Sequence, residues 1–399
     1  MPNNNPNQSN NMNLQTASNQ IQSYIQAFND SFMYRENEIM ILVVSLIIGK
    51  NACFIGSHGE AKSALIEQFA KGIDKKFFGC QFNRFSTPDE ILGHFSLAEM
   101  KNNDQYVRKY QGKLPDAQIA YLDECFNASG AMLQSLQKAL NEKRIDLGNG
   151  TELSIPMELS IASTNFHCSK NQQLAAFWDR FFLRIETRNT VSQFKKSEFR
   201  KFMKLKRSGQ LGRVNVKLDN KVIDFFRSKL SSVTISRSID SKLYELLEFC
   251  NKNKIDISAR RLVWIDDAIK AMALIAGRDH VNDSDLSILQ HCLWVHIEQY
   301  DMVETFLKNV CHSPLKEAKK HLADLESLKS IYLDADKMSV TEKDRQKRIQ
   351  IINSMGDTEN AMIAIIDLVN DKEWPKDCAE LDDILRSINS FRNPTKFLL

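Results

Sequence analysis

Apolar and polar positions follow two rhythms along this chain, and the change of rhythm divides it. From Tyr24 to about Thr187, short apolar runs are separated by stretches of helical spacing. After the polar Tyr34-Arg35-Glu36-Asn37-Glu38, the run Ile39 to Ile48 predicts a buried helix, Ala52 to Ile55 a short strand, and Ser63 to Ala70 the next helix. Ile119 to Leu122 and Glu158 to Ser163 each fit a central strand, being short, mostly apolar and followed by polar residues. Strands alternating with helices predict an α/β fold, a parallel sheet covered by helices on both faces. The run Ile39 to Ile48 is about half of the roughly twenty apolar residues that a membrane-spanning helix needs, so it belongs to a core.

From about Asn189 the strand signals fade, and Lys195 to Leu205, Lys221 to Leu230, Ser241 to Asn251 and Ala259 to Ala276 all carry helical spacing. Beyond Pro314, Lys316 to Ile352 is a charged amphipathic stretch, and Glu359 to Val369 and Ala379 to Phe391 read as two more helices. The first twenty residues hold eight Asn and three Gln and almost no large apolar group, too little to bury for an ordered structure. The expected division is a disordered leader at 1–20, an α/β domain at 21–188, a helical domain at 189–300 and a helical C-terminal region at 301–399. The opening has neither the basic start nor the apolar run of a secretory signal, so the expected location is cytoplasmic.

Composition changes little in this picture. The 399 residues suit two or three globular units, and 53 Lys and Arg against 50 Asp and Glu leave a net charge of +3. Bulk charge therefore gives no reason to expect nucleic acid or a membrane surface as partner. The basic cluster Arg200-Lys201, Lys204 to Arg207 and Arg213 reads as a solvated face. Eight cysteines are scattered without a CxxC pair or zinc-ligand spacing, as in a chain of reduced thiols.

The chemistry concentrates at three strand ends. Gly56-Ser57-His58-Gly59-Glu60-Ala61-Lys62-Ser63 follows a strand and opens a helix, the setting of a phosphate-binding turn. Backbone N–H groups from Gly56 to Ala64 would meet phosphate oxygens, Lys62 would reach the β and γ phosphates, and the Ser63 hydroxyl would ligate magnesium. Ala61 stands where the pattern has its second glycine, and its fit depends on φ there. Asp123 and Glu124 end the IAYL strand, Asp123 to hold hydrated magnesium and Glu124 to polarise the attacking water. Asn165, after the strand ELSIAS, is a candidate for touching the γ phosphate or orienting the water. With no guanine-reading NKxD motif, ATP is the expected nucleotide.

GSHGEAKS, STPDEILG, LPDAQIAYLDE, LQKALNEKRI, ASTN and FWDRFFLRI, in this order, resemble the MoxR-type AAA+ ATPases, most of all the RavA branch. The resemblance runs from about Tyr34 to Tyr300 and implies a magnesium–ATP machine working as a ring, usually a hexamer, with each nucleotide between two subunits. It implies that Arg180 is an arginine finger for the neighbour's site, and that Arg260 or the adjacent Arg261 is the sensor of a helical lid. It further implies that Ser86 to Pro115 is an insert bearing Phe95, Leu97, Met100, Tyr106 and Tyr110 toward a pore, and that the partner is a protein with a von Willebrand A domain. Gly148-Asn149-Gly150 fits a hairpin turn between Lys143 to Leu147 and Glu152 to Ile155. The expected function is thus an ATP-driven remodeller of a partner protein. The alternatives are a slow, nucleotide-gated scaffold and a DNA-associated AAA+ motor.

Overall fold

A computed structural model describes residues 12–57, 59–146, 151–167, 172–187 and 195–310. Of these, residues 12–281 with 285–305 belong to one compact unit, and 282–284 with 306–310 to a second. His58, the 148–150 turn, Cys168 and the helices expected beyond Pro314 lie outside the described residues.

The chain opens with α1 (Leu14–Ser31) and α2 (Glu36–Ile48). The first of these corrects the expected leader, because Leu14 to Gln20 is helical. Overall polarity hid a stripe of small and apolar residues: Ala17, Ser18, Ile21, Tyr24, Ile25 and Phe28 recur at helical spacing and are buried. The side chain of Asn13 caps the helix by accepting from the Thr16 N–H at 2.8 Å. Buried Ser18 is satisfied by donating to the Ile275 carbonyl at 2.7 Å.

β1 (Asn51–Ile55) leads through a turn to α3 (Lys62–Ile73) and β2 (Phe77–Gln81). An excursion follows, made of α4 (Pro88–Leu92), β3 (His94–Phe95), α5 (Leu97–Asn103) and β4 (Arg108–Lys109). Within it Phe95 packs edge-on against Tyr106 at 5.6 Å and lies under the Arg108 guanidinium, whereas Leu97 is exposed. The chain then enters β5 (Ile119–Asp123), α6 (Gly130–Glu142), the hairpin β6 (Arg144–Asp146) and β7 (Glu152–Ser154), β8 (Leu159–Thr164), α7 (Gln172–Trp178) and β9 (Phe181–Glu186).

Five of these strands form a sheet in the order β2-β5-β8-β1-β9, and every neighbouring pair is parallel. β1 thus lies between β8 and β9. The hydrophobic pattern does not single out β2 or β9. β2 is an edge strand that exposes Phe77 and Gln81, and β9 carries the buried Arg184 within its apolar run. Cys53 and Ile55 of β1 join a core cluster with residues of α6 and α7.

Four further helices follow: α8 (Lys196–Arg207), α9 (Asn220–Lys229), α10 (Arg237–Lys252) and α11 (Ala259–Ile275). A 3-10 stretch (Asp283–His291) and α12 (Glu298–Val310) complete the described chain. α2 packs against β1, β9, α1, α9 and α11, which explains an apolar run without a polar face. Arg227 of α9 ties the helical part to it by donating to the Leu46 carbonyl at 2.7 Å. Among the described residues no helix is long and apolar enough to cross a membrane.

The seat of α1 on α3 depends on Gly72. Buried Tyr24 donates to the Phe69 carbonyl at 2.8 Å, and a Cβ on Gly72 would lie 2.5 Å from its hydroxyl oxygen and 2.8 Å from a ring carbon. Gly72→Ala is therefore expected to lower stability by about 1–3 kcal/mol, as overpacking does. Denaturant titration would show this as a lower midpoint at unchanged slope, and an unaltered midpoint would refute the contact.

Candidate functional site

Parallel pairing brings the carboxyl ends of β1, β5 and β8 to one edge of the sheet, where such sheets bind ligands. Ile55 is in register with Thr164, and Asp123 with Ser163. The phosphate-binding turn leaves β1 at Gly56, whose N–H donates to the Thr164 carbonyl at 3.0 Å. Glycine is required there, because a Cβ would sit 2.4 Å from the Thr187 carbonyl oxygen, itself held by a Thr187 N–H to Ile55 bond of 2.6 Å.

At the other end of the turn Ala61 has φ 57° and ψ 22°, the left-handed region in which an alanine costs roughly 1–2 kcal/mol. The backbone therefore has the conformation that the pattern's glycine would adopt without strain. Lys62 begins α3, and its ammonium folds back to donate to the carbonyls of Gly56 and, at 3.0 Å, Ser57. Burial lowers its pKa below the usual lysine value, while the nearby carboxylates Glu124, Asp123 and Glu60 oppose the shift. The positive charge of Lys62 is thus held among the acids of the site.

Behind the turn is a clamp that the sequence reading missed. Arg35, almost fully buried before α2, donates to the Glu60 carbonyl at 3.2 Å and to its carboxylate at 2.5 Å, and it pairs with Glu38 at 3.3 Å. Its one visible signal is a charged cluster abutting a long apolar run, which by itself also suits a solvated helix start.

Asp123 ends β5, and the next residue, Glu124, turns into the left-handed region at φ 53°. Glu124 is 7% exposed and accepts from the Asn127 amide at 3.3 Å. A non-glycine residue held at positive φ beside a carboxylate pair is strain of the kind found at working sites. The Ser163 hydroxyl donates to Asp123, the Tyr121 hydroxyl lies 2.9 Å from Ser163, and Ser63 lies 3.0 Å from Tyr121. Tyr121 and Ser163 were not among the expected residues. A phenol two positions before an acid on a strand shares its face, but only the register brings Ser163 alongside. Asn165 is exposed immediately after β8, next to the residue whose carbonyl receives the Gly56 N–H.

The arginines lie elsewhere. Arg180 precedes β9, and its carbonyl accepts from the Asn51 side chain at 3.2 Å, at the amino end of β1. Arg261 is 2% exposed and wholly engaged: it donates to Asp179 at 3.1 Å, to the Cys292 carbonyl and to the Phe181 carbonyl. Arg260, its neighbour on α11, is exposed. Both arginine positions are thus at the opposite end of the strands from Gly56, about 17 Å away along β1 at 3.3 Å per residue.

Residues 19–213 match the family model of the MoxR domain in the MoxR–vWA–β-propeller ternary systems, and residues 238–307 match an AAA lid domain. Two uncharacterised proteins of Methanocaldococcus jannaschii are similar over most of their length. One is 31% identical over 82% of this chain and 84% of its own, the other 27% identical over 93% and 97%. The chain belongs to the MoxR-type AAA+ ATPases. Nucleotide binding goes with that membership, and the fold agrees with it. A crystal structure of a candidate ATPase from Cytophaga hutchinsonii superposes with a TM-score of 0.58 at 20% identity, covering 74% of this chain and 95% of that one. A structural protein of Acidianus two-tailed virus is 30% identical over 47% of this chain and 33% of its own.

Two substitutions test the local account. Ala61→Gly removes the left-handed alanine and is expected to raise stability by about 1 kcal/mol, read as a higher melting temperature. An unchanged or lower temperature would mean that the turn carries no such strain. Burial pushes the Glu38 carboxyl from 4.5 up to about 7, against the pull of Arg35. Its pKa is higher folded than unfolded, so its contribution to stability is complete below about 4.5 and lost as pH rises through about 7. Glu38→Gln should flatten that part of the stability profile, and thermal melts across this range would reveal a slope that persists.

Proposed function

We propose that this chain is a magnesium-dependent ATP hydrolase of the RavA-like kind, assembled as a closed ring, most simply a hexamer, that remodels a partner with a von Willebrand A domain. The observation that carries the reading is the division of the site. The turn from Gly56 to Ala64, Asp123, Glu124 and Asn165 lie at the carboxyl edge of the sheet, whereas Arg180 and Arg260 lie at the amino edge. An arginine finger at the far edge can serve only the nucleotide of another copy, so each site is incomplete until a second chain supplies it. The partner class follows from the family, whose description names a von Willebrand A protein and a β-propeller.

The donor set suits magnesium. Ser63 and Asp123 offer hard oxygen ligands linked through hydroxyl groups, and the described residues hold no cluster of three or more His, Cys, Asp or Glu that would favour a closed metal site. Ser63 and Asp123 would hold the ion, which when bound neutralises charge on the phosphate oxygens. Lys62 would exchange its carbonyl partners for the β and γ phosphates, and the N–H groups of the turn would receive the remaining oxygens. Glu124, fixed by Asn127, orients and polarises water for attack on the γ phosphate, and Asn165 holds the far side of that water. Arg180 of the neighbouring copy stabilises charge that develops on the transferring group, an effect of about 10³ to 10⁵ in rate. Arg260 of that copy is the second cation at the junction.

Steady-state turnover of ATP across a range of subunit concentrations tests this reading. Specific activity should rise with concentration, and Lys62→Ala, Glu124→Gln and Arg180→Ala should each lower it by 10³-fold or so. Mixing the inactive Glu124→Gln and Arg180→Ala proteins should restore part of the rate, because some junctions then combine an intact acid with an intact arginine. A mixture that stays inactive would sink the shared site. A wild-type rate equal to that of Lys62→Ala, with ATP still bound, would leave a nucleotide-gated scaffold in place of a motor.

A further inference from the structure

The hydroxyl groups between Ser63 and Asp123 form a chain whose direction can be worked out. A carboxylate only accepts, so the hydrogen bond between Ser163 and Asp123 takes the single proton of Ser163. The single phenolic proton of Tyr121 then goes to the Ser163 oxygen, 2.9 Å away, or directly to the Asp123 carboxylate, which the same hydroxyl also reaches. The Tyr121 oxygen is left to accept, and the hydroxyl within reach is that of Ser63 at 3.0 Å. By either route every proton points from Ser63 through Tyr121 toward Asp123. With its proton committed to Tyr121, the Ser63 oxygen keeps its lone pairs for a cation.

We infer that Tyr121 and Ser163 are positioning residues for magnesium, holding the Ser63 oxygen and the Asp123 carboxylate as preoriented ligands through this hydroxyl chain. The inference rests on the magnesium–ATP reading above and assigns two residues which that reading does not need. The strand geometry supports it. Tyr121 and Asp123 are two apart on β5 and so share a face, Ser163 is the register partner of Asp123 on β8, and Ser63 lies in the first turn of α3. Four groups from three elements are thus tied into one unit. Tyr121 is 4% exposed and Ser163 wholly buried, so solvent does not compete for these protons. A cation on the Ser63 oxygen would acidify its hydroxyl and strengthen donation along the chain, and a carboxylate at the far end favours the same polarisation.

The test separates metal from nucleotide. Affinity for a fluorescent ATP analogue is measured on the full chain in EDTA and then with increasing Mg²⁺, for wild type, Lys62→Ala, Tyr121→Phe, Ser163→Ala and the double variant. Tyr121→Phe keeps the ring and removes the hydroxyl. It should raise the Mg²⁺ concentration giving half the effect by about three- to tenfold, the worth of one hydrogen bond, while leaving affinity in EDTA unchanged. Ser163→Ala should do the same, and the double variant should be little worse than either, because both substitutions break one chain. Mn²⁺ binding to the nucleotide complex, followed by electron paramagnetic resonance, should weaken in parallel. Unchanged Mg²⁺ dependence in Tyr121→Phe, or an equal loss of affinity in EDTA, would overturn the positioning role. If instead wild type shows no Mg²⁺-dependent affinity and Lys62→Ala binds as well as wild type, the magnesium–ATP reading itself fails.

Discussion

The parallel pairing of β1 between β8 and β9 is the constraint on which the rest of the site depends. It sends the chain out of β1 at Gly56 beside the ends of both neighbours, where the Thr164 carbonyl receives its N–H and the Thr187 carbonyl excludes any side chain. On the far side of β8, pairing with β5 sets Asp123 alongside Ser163, while the β1–β9 pairing leaves Arg180 at the other end of the same sheet. Two opposite edges thus acquire complementary chemistry from one hydrogen-bonding pattern. In the ring proposed above, the acidic and phosphate-binding edge of one chain would face the arginines of the next.

The carboxyl edge carries strain, and its surroundings sustain it. Ala61 and Glu124 both occupy the left-handed region, one in the turn after β1 and the other directly after β5. Neither residue relieves the strain by its own chemistry. Ala61 is followed at once by the first turn of α3, whose Leu65 N–H bonds back to its carbonyl at 3.0 Å, and Arg35 grips the preceding Glu60 from behind. Glu124 is held by Asn127 one turn later. The buried side of α3, with Leu65, Ile66 and Phe69, anchors the whole turn in the core.

At the amino edge, burial assigns roles to similar side chains. Arg184 is wholly buried yet satisfied, donating to the carbonyls of Phe181, Trp178 and Trp294, with its guanidinium over the Trp178 ring. Arg261 makes an equivalent set of bonds nearby, which joins α11 to the start of β9. Planar, multiply donating guanidinium groups can serve as such internal cross-links where a lysine would leave its charge poorly matched. Arg260, one residue away and about 100° around the helix, is left at the surface.

What the sequence determined by itself is local chemistry. A glycine-bearing turn before Lys62 and Ser63, two acids closing an apolar strand, and a ten-residue apolar run are legible because each motif lies within a few adjacent residues and its physics is that of a strand end, a helix start or a core. The tertiary structure decided whatever depends on distance along the chain. Tyr121 and Ser163 became partners only through strand register, 42 positions apart, and Arg35 met Glu60 across the whole of α2 and β1. α1 escaped a composition-based reading because its buried stripe of small and apolar residues begins inside a polar segment, and the bonds of Ser18 and Tyr24 end on α11 and α3. Arg260 and Arg261 are chemically identical neighbours, and no local pattern separates them. Only the packing of α11 against β9, which buries one and exposes the other, does so, because burial is a property of the assembled layers and not of the residue.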